Sequence, residues 1–202
     1  MDGVVLRVAE PADASAIGSI YRPYVETTAV TFETEPPESA SIAGDIETRL
    51  ETYPYFVAES GDGDVIGYAY AGALRKRDAY RWTVELSVYL DVEHRRRGIG
   101  SALYAALLRT LARQGFESAY GVVTLPNPES VGFHESLGFD RVGRFPEAGY
   151  KLDAWHDVAW YERSLGDRPD PPTDPVAFEN CRDGAWLSEL LDDPTDGDAR
   201  VA

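Results

Sequence analysis

The chain has 202 residues, 44% of them hydrophobic and 27% charged, which is the composition of an ordinary soluble protein with a sizeable core. This balance argues against a collagen-like, coiled-coil or wholly disordered chain, and no segment approaches the roughly 18 consecutive apolar residues of a membrane-spanning helix. The 35 acidic and 19 basic residues give a net charge of −16, which disfavours nucleic-acid partners because such a surface repels phosphate backbones.

The cysteine and lysine content leads to two further expectations. Cys181 is the single cysteine and forms no internal disulfide, and the N-terminus lacks the basic and apolar regions of a signal peptide, so we expect a cytoplasmic protein. Lys76 and Lys151 are the only lysines among the 19 basic residues. This Asp-rich, Lys-poor composition is typical of salt-loving organisms, which makes a halophilic protein our favoured interpretation. A GC-rich coding bias would also produce the arginine excess.

The first half of the chain predicts four short strands and two amphipathic helices. The strands are Val4–Val8, Val30–Phe32, Tyr55–Glu59 and Val65–Tyr70, the last two forming a hairpin around a Gly-rich turn. Asp13 is predicted to cap the first helix. The apolar positions of that helix are Ile17, Ile20, Tyr21 and Tyr24, and those of the second helix are Ile42, Ile46 and Leu50.

The second half alternates strands with helices. Its predicted strands are Tyr80–Leu90, Ala119–Leu125, Asp140–Phe145 and Trp155–Tyr161. One helix runs through Leu103–Leu111 and ends at Gly115, and a shorter one spans Asn127–Leu137. This order implies a βαβ unit at the centre of a mixed sheet.

The sequence divides into a body, residues 1–164, and an acidic, proline-rich C-terminal tail, residues 165–202. The tail holds ten acidic residues against three arginines, and its prolines exclude regular structure over residues 169–175. The segment Gly184–Leu191 predicts one short helix, either docked or transient.

The most informative local motif is Arg95–Ser101, an R-R-R-G-I-G-S segment between a strand and a helix. Glycines let the backbone turn tightly, and the exposed amides of a helix N-terminus favour a pyrophosphate. Neither of the common glycine-rich nucleotide motifs, G-x-G-x-x-G and G-x-x-x-x-G-K-[ST], is present. The segment predicts a phosphate-binding loop, with a plain basic turn as the alternative.

This loop resembles the coenzyme A loop of the GNAT acetyltransferase superfamily. The N-x-x-S-x-x-x-H pattern of Asn127–His134, followed by Gly138 and Phe139, resembles the second half of that family's motif. Further segments resemble the phosphinothricin acetyltransferase branch, namely Val30–Pro36, Arg77–Glu85, Ala148–Lys151 and Trp155–Val158. The resemblance covers roughly residues 4–163 and fades after Leu165.

The resemblance implies an α+β protein with the GNAT fold, in which a mixed, mostly antiparallel sheet is flanked by helices around a central βαβ acetyl-CoA unit. It implies a homodimer that needs no metal and moves the acetyl group of acetyl-CoA to a small amino-acid-like amine. Phosphinothricin, methionine sulfone and methionine sulfoximine are the acceptor types that it suggests. We expect direct attack in a ternary complex, because the sequence offers no activated nucleophile.

Two residues are predicted to be catalytic. Glu85 matches the family's proposed base, which the reaction needs because an amine must lose a proton before it attacks. The alternative is a strand carboxylate that faces solvent or pairs with an arginine. His134 stands where many relatives carry a tyrosine that protonates the leaving thiolate. It is a candidate general acid, second base or substrate ligand, and the alternative is a hydrogen-bonded structural residue.

The remaining candidates bind the two substrates. The acetyl-CoA set is Val88, Tyr89, Leu90, Arg95, Arg96, Arg97, Gly98, Ile99, Gly100, Ser101 and Asn127. Within it, an N–H near Val88 would polarise the thioester carbonyl, and Asn127 also fits a helix N-cap. The acceptor set is Phe32, Arg75, Arg77, Tyr80, Tyr150 and Lys151. Its cations would bind an anionic group and its aromatics would line the pocket, whereas surface charge and core packing are the alternatives.

Three other functions are kept as alternatives. The first is the same chemistry on a polyamine or a protein N-terminus. An acidic surface would suit such a cationic acceptor, whereas the three cations of the predicted acceptor set would repel it. A coenzyme A-binding module without catalysis would not need Glu85 and His134. A scaffold whose acidic tail binds a basic partner would depend on residues 166–202.

Overall fold

A computed structural model describes residues 3–194, in which seven strands form one sheet in the order β1-β2-β3-β4-β5-β7-β6. The strands are β1 (Val5–Val8), β2 (Tyr55–Glu59), β3 (Val65–Ala73), β4 (Thr83–Leu90), β5 (Ser118–Leu125), β6 (Asp140–Lys151) and β7 (Ala154–Ser164). The helices are α1 (Ala14–Thr27), α2 (Ser39–Thr52), α3 (Ile99–Gln114), α4 (Pro128–Ser136) and α5 (Ala185–Asp192). Only β4 and β5 pair in parallel, which confirms the predicted mixed, mostly antiparallel sheet.

The central βαβ unit consists of β4, α3 and β5, as predicted. Gly98 precedes α3 with a φ of 81° and Gly115 follows it with a φ of 90°, left-handed conformations that favour glycine. Between them, Leu103, Leu107 and Leu111 recur at every fourth position and are buried in the core. The helix therefore lies firmly on the sheet and fixes where its N-terminus points.

Helices cover both faces of the sheet. Gly67 of β3 leaves room for the Leu90 side chain on one face, where Leu103 of α3 lies within contact distance. The next residue, Tyr68, points to the other face, where its ring lies 5.4 Å from that of Tyr89. Tyr89 in turn contacts Tyr21 of α1, with ring centroids 4.8 Å apart. None of the described helices is both long enough and apolar enough to span a bilayer.

One local prediction is wrong, and a second is right in position only. Residues 30–32 form an irregular loop instead of a strand, because the Thr28 and Thr31 hydroxyls accept the Val30 and Glu33 N–H groups at 3.2 Å each. These bonds satisfy amides that a strand would offer to a neighbour. Asp13 precedes α1, but its carboxylate does not cap that helix; it binds Arg7 and the Glu10 N–H.

The described part of the C-terminal segment packs on the body. Residues 165–177 are irregular, and the short helix at the predicted position is α5, which is docked on α3 and β1. Phe178 is fully buried against Phe56 of β2, and Leu187 and Leu190 belong to the same apolar core. Residues 195–202 of the predicted tail lie outside the described residues. The division of the chain at residue 164 stays a prediction.

Candidate active site

A gap opens at the centre of the sheet where β4 and β5 part. Among the described residues, their pairing joins Thr83–Leu86 to Ser118–Gly121 only. The Asp91 N–H donates to β3, so Leu90, one residue earlier, turns its own N–H and carbonyl toward the gap. The Tyr24 hydroxyl bonds both groups, lying 2.6 Å from the Leu90 oxygen and 3.3 Å from its nitrogen. The parted edge of β4 thus presents backbone donors and acceptors.

A cleft of about 380 Å³ extends outward from this gap. Eight residues of the predicted acetyl-CoA set line it: Val88, Leu90, Arg95, Arg96, Gly98, Gly100, Ser101 and Asn127. The Asn127 side chain also accepts the Ser130 N–H at 3.1 Å, so it caps α4 as the alternative interpretation proposed. Both roles are compatible, because an amide side chain has donors as well as an acceptor.

The side chains of three other predicted residues point elsewhere. Tyr89 packs among the tyrosines beneath α1, and Ile99 is buried in the core at the first turn of α3. Arg97 lines a separate polar pocket together with His94. Of these three residues, only the backbone remains available to the cleft.

The mouth of the cleft carries cations in an acidic protein. Arg95 lies over the Tyr24 ring, with its guanidinium carbon 5.0 Å from the ring centroid. Arg96 has a left-handed φ of 60° and pairs with Glu129 of α4 across the mouth. Together with the N-terminus of α3, these guanidiniums make a site suited to a pyrophosphate.

Glu85 lies half-buried on the α1–α2 face of the sheet, beside the gap. Its strand partner in β3 is Gly72, over which Arg49 of α2 extends. Burial raises the pKa of Glu85, while the guanidiniums of Arg75 and Arg49 act to lower it. A carboxylate held in this way accepts a proton more readily than an ordinary glutamate, which suits a general base.

His134 lies on the opposite face. It is buried, and its ring packs over Gly121 of β5, where any side chain would collide with the imidazole. Its Nδ1 lies 2.8 Å from the Ser130 carbonyl oxygen and its Nε2 lies 3.3 Å from the Tyr104 hydroxyl. Burial lowers the pKa of His134 below its ordinary value, so the ring is neutral at neutral pH.

Two predicted acceptor residues anchor the loop between α1 and α2. Lys151 is buried and donates from Nζ to the Thr31 carbonyl at 2.8 Å. Phe32 lies against Gly149, a position at which any side chain would collide with its ring. This loop is therefore fastened to the β6–β7 hairpin over the Glu85 side of the sheet. Lys151 already holds a backbone partner.

The other four acceptor candidates are exposed. Arg75 lies 5.0 Å over the Trp160 ring and close enough to lower the Glu85 pKa. Arg77 and Tyr80 stand in the loop before β4, where the Tyr80 N–H donates to the Arg77 carbonyl. Tyr150 packs edge-on against Trp155. Of these four, Arg75 is the one that the described contacts bring to Glu85.

Several residues at this site were missed in the sequence. Six of them line the cleft: Tyr24, Thr28, Val30, Glu129, Ser130 and Phe133. The charge of Arg49 acts on Glu85, and the Tyr104 hydroxyl bonds to His134. Tyr24 and Arg49 lie on helices whose apolar periodicity gives no sign of a polar role. Glu129 and Ser130 fall inside the quoted Asn127–His134 motif, so the motif itself was an available signal.

Residues 6–160 match the family model described as an acetyltransferase (GNAT) domain. The chain belongs to the GNAT acetyltransferase family. It is 44% identical over 169 residues to a phosphinothricin N-acetyltransferase of Streptomyces viridochromogenes, an alignment that covers 84% of this chain and 91% of that protein. It is 33% identical to an L-methionine sulfoximine/L-methionine sulfone acetyltransferase of Pseudomonas aeruginosa, over 79% of this chain and 94% of the relative.

Solved structures support the same assignment. A GNAT superfamily phosphinothricin acetyltransferase from Sinorhizobium meliloti, in complex with acetyl-CoA, aligns with a TM-score of 0.80 and 39% identity over 86% of this chain and 94% of that one. An acetyltransferase from Salmonella typhimurium with its cofactor acetyl-CoA aligns with a TM-score of 0.79 and 32% identity, over 82% and 96%. The predicted GNAT fold and the prediction of an acetyltransferase are confirmed.

Proposed function

We propose that this GNAT enzyme transfers the acetyl group of acetyl-CoA to the amino group of a small anionic amino-acid-like acceptor, by direct attack in a ternary complex. The observation that carries the proposal is the position of Glu85. A half-buried carboxylate flanked by two guanidiniums lies where β4 and β5 part, beside a cleft whose mouth suits a pyrophosphate. The relatives named for phosphinothricin and for oxidised methionines support the acceptor class.

Acetyl-CoA would supply the acetyl group as a thioester, and the cleft fits its two halves. The turn at Gly98 and the guanidiniums of Arg95 and Arg96 would hold the pyrophosphate. The cleft-facing backbone of Val88 would pair with the pantetheine arm as an added strand does, and Leu90 would join it where the arm displaces the Tyr24 hydroxyl. The Val88 N–H would also stabilise the oxygen of the thioester carbonyl.

Glu85 would take the proton from the acceptor ammonium, which frees the nitrogen lone pair for attack. The same arrangement would also supply cations to an acceptor carboxylate or phosphinate. Arg75 and Arg49 flank Glu85 from the loop before β4 and from α2, respectively. An acceptor that carries an amine next to an anionic group would satisfy both the base and the guanidiniums.

The test is free-thiol release from acetyl-CoA against phosphinothricin, methionine sulfone, methionine sulfoximine, common amino acids and spermidine. We expect turnover with phosphinothricin, methionine sulfone or methionine sulfoximine. In Glu85→Gln we expect kcat to fall by about 10²–10⁴-fold while acetyl-CoA binding is retained. The control is Glu47→Gln on the exposed surface of α2. Turnover with spermidine alone would refute the acceptor class. Wild-type activity in Glu85→Gln would refute the proposed base.

We also propose that the enzyme is a cytoplasmic homodimer adapted to high salt, with its body and its C-terminal segment joined near residue 164. The exposed apolar side chains of the β6–β7 hairpin support the dimer, since an apolar strip next to an edge strand favours association. They are Val142, Phe145, Tyr150, Leu152 and Trp155. The net charge of −16 supports the adaptation to salt.

A further inference from the structure

The hydrogen bonds of His134 fix which ring nitrogen carries the proton. Nδ1 lies 2.8 Å from the Ser130 backbone oxygen, and a carbonyl oxygen only accepts. Nδ1 must therefore be the protonated nitrogen. The Ser130 hydroxyl, 3.4 Å from the same nitrogen, is a weaker second acceptor. In the neutral ring Nε2 is left with a lone pair, so the Tyr104 hydroxyl at 3.3 Å is the donor.

Tyr104 links this imidazole to the reaction side of the cleft. It lies four residues after Gly100 and three after Ser101, so it shares the face of α3 that lines the cleft. Its ring packs edge-on against Phe133, another lining residue, at 5.0 Å. The residue is almost fully buried, and burial together with the Glu85 carboxylate charge raises the pKa of its hydroxyl. Tyr104 therefore lies directly behind the cleft lining, in contact with both Phe133 and His134.

We propose that the Tyr104 hydroxyl carries protons between the cleft and His134. The inference rests on the proposed acetyl transfer at Glu85. The inference also selects among the roles predicted for His134. A ring without a proton on Nε2 must first accept a proton, as a second base, before it can donate one as a general acid.

The proposed route closes the proton balance of the reaction. An ammonium that becomes an amide loses two protons, while the departing thiolate gains one, so one proton is released to solvent. Glu85 takes the first proton and passes it to solvent. As the C–N bond forms, the nitrogen gives its second proton to the Tyr104 oxygen while the Tyr104 O–H proton moves to Nε2. As the C–S bond breaks, Nε2–H returns a proton through Tyr104 to the sulfur, and both residues regain their starting state.

The surroundings of His134 support this cycle. Phe133 and Phe139 pack edge-on against the ring, and the polar groups that face it are Tyr104 from α3, Tyr161 from β7 and Ser130 of its own helix. The Ser130 carbonyl would stabilise the imidazolium by accepting a stronger, charge-assisted hydrogen bond from Nδ1–H. The 3.3 Å distance to Tyr104 is that of a bond expected to shorten when substrates fill the cleft.

The kinetic test compares Tyr104→Phe with Tyr161→Phe, a matched control because Tyr161 stacks on the same imidazole at 5.6 Å. We expect Tyr104→Phe to lower kcat by roughly 10- to 100-fold with an unchanged KM for acetyl-CoA, and Tyr161→Phe to stay within about twofold of wild type. A double variant, Tyr104→Phe with His134→Asn, should lose no more activity than the worse single variant, because residues that act as one unit are not additive. The relay would be overturned if the loss of kcat in the double variant equalled the product of the two single losses. A wild-type kcat in Tyr104→Phe would overturn it as well.

A second readout needs no acceptor. The chain has three histidines, so the ring nitrogens of His134 can be assigned by ¹⁵N NMR from single His→Gln variants. We expect a protonated Nδ1 and a hydrogen-bonded, unprotonated Nε2, whose resonance moves in Tyr104→Phe and not in Tyr161→Phe. A proton on Nε2 would overturn the inference without touching the proposed function. Inactivity of the wild type toward every acceptor, with this spectrum as expected, would refute the proposed acceptors and leave the hydrogen-bond assignment standing.

Discussion

One raising and two lowering contributions act on the pKa of Glu85, and they predict how the activity depends on pH. Burial raises its pKa, and the guanidiniums of Arg75 and Arg49 lower it. A base must be ionised to act, so kcat/KM should rise with pH and level off above the Glu85 pKa. Removing Arg49 removes one of the two lowering contributions, and the Glu85 pKa rises. The acidic limb of the profile should therefore move to higher pH.

We expect Arg49→Gln to move this limb upward by roughly 0.2–0.7 pH units, the equivalent of about 0.3–1 kcal/mol between partly exposed charges. The control is Arg22→Gln. Both arginines form a one-turn ion pair on a helix, Arg49 with Asp45 and Arg22 with Glu26, but only Arg49 lies over Gly72 beside Glu85. The pH profile of kcat/KM is measured with one acceptor in both variants. If the acidic limb lies at the same pH in both, Arg49 does not act on the base.

At the residue scale, the sequence predicted what a local pattern carries. The turn at Gly98 and the cap at Asn127 follow from spacing and from the backbone needs of helix ends. Arg49 and Tyr104 could not be predicted, because their roles depend on the charge of Glu85 in β4 and on a contact with His134 in α4, which lie far away in sequence. Lys151 shows the converse. Its charge predicted an acceptor ligand, and the structure places its ammonium on the Thr31 carbonyl.

At the scale of elements, the C-terminal segment behaves as part of the core. The Gln114 side chain at the end of α3 donates to the Thr52 carbonyl and to the Val176 carbonyl, at 3.0 and 2.8 Å. This amide joins the ends of α2 and α3 to the segment, just before Phe178 enters the core. Composition alone could not predict such docking, since the acidic surface residues outnumber the few apolar side chains that are buried.

Phe178→Ala should lower the free energy of unfolding by about 3–5 kcal/mol, the usual cost of deleting a buried phenylalanine. Urea unfolding measures it. Val176→Ala is the matched control, because its side chain is exposed while its backbone keeps both bonds to Gln114. That variant should cost less than about 0.5 kcal/mol. Equal stability of the two variants would mean that the segment does not dock in solution.

At the scale of the whole molecule, periodicity and chain order predicted the βαβ unit, whereas a cleft between parting strands was expected only from the family resemblance. Periodicity and chain order identify a central parallel pair. The point at which the ladder stops depends on what lies on either side of it. Tyr24 holds the cleft edge of Leu90, and α4 brings His134 over Gly121 on the far side. Both contacts arise from tertiary packing, so the local sequences of α1 and α4 do not predict them.

Charge and apolar surface act against each other when two copies of the chain meet. Each copy carries −16, which opposes association, while the apolar strip of the β6–β7 hairpin favours it. Salt screens the repulsion, since the Debye length falls from about 30 Å at 0.01 M to about 3 Å at 1 M. Salt does not weaken the burial of apolar side chains. The proposed dimer should therefore strengthen as salt is added.

Sedimentation velocity at low and high KCl measures this balance. We expect the dimer fraction to rise with salt in the wild type, and Trp155→Glu to remain monomeric at both concentrations, because it introduces a charge at a side chain that is 62% exposed on the hairpin. Val5→Glu is the control, since Val5 is similarly exposed, at 56%, on the opposite edge strand β1. A wild type that is monomeric at every salt concentration would contradict the homodimer. A dimer that ignores salt would contradict the role of charge, and an equal loss of dimer in both variants would contradict the assigned face.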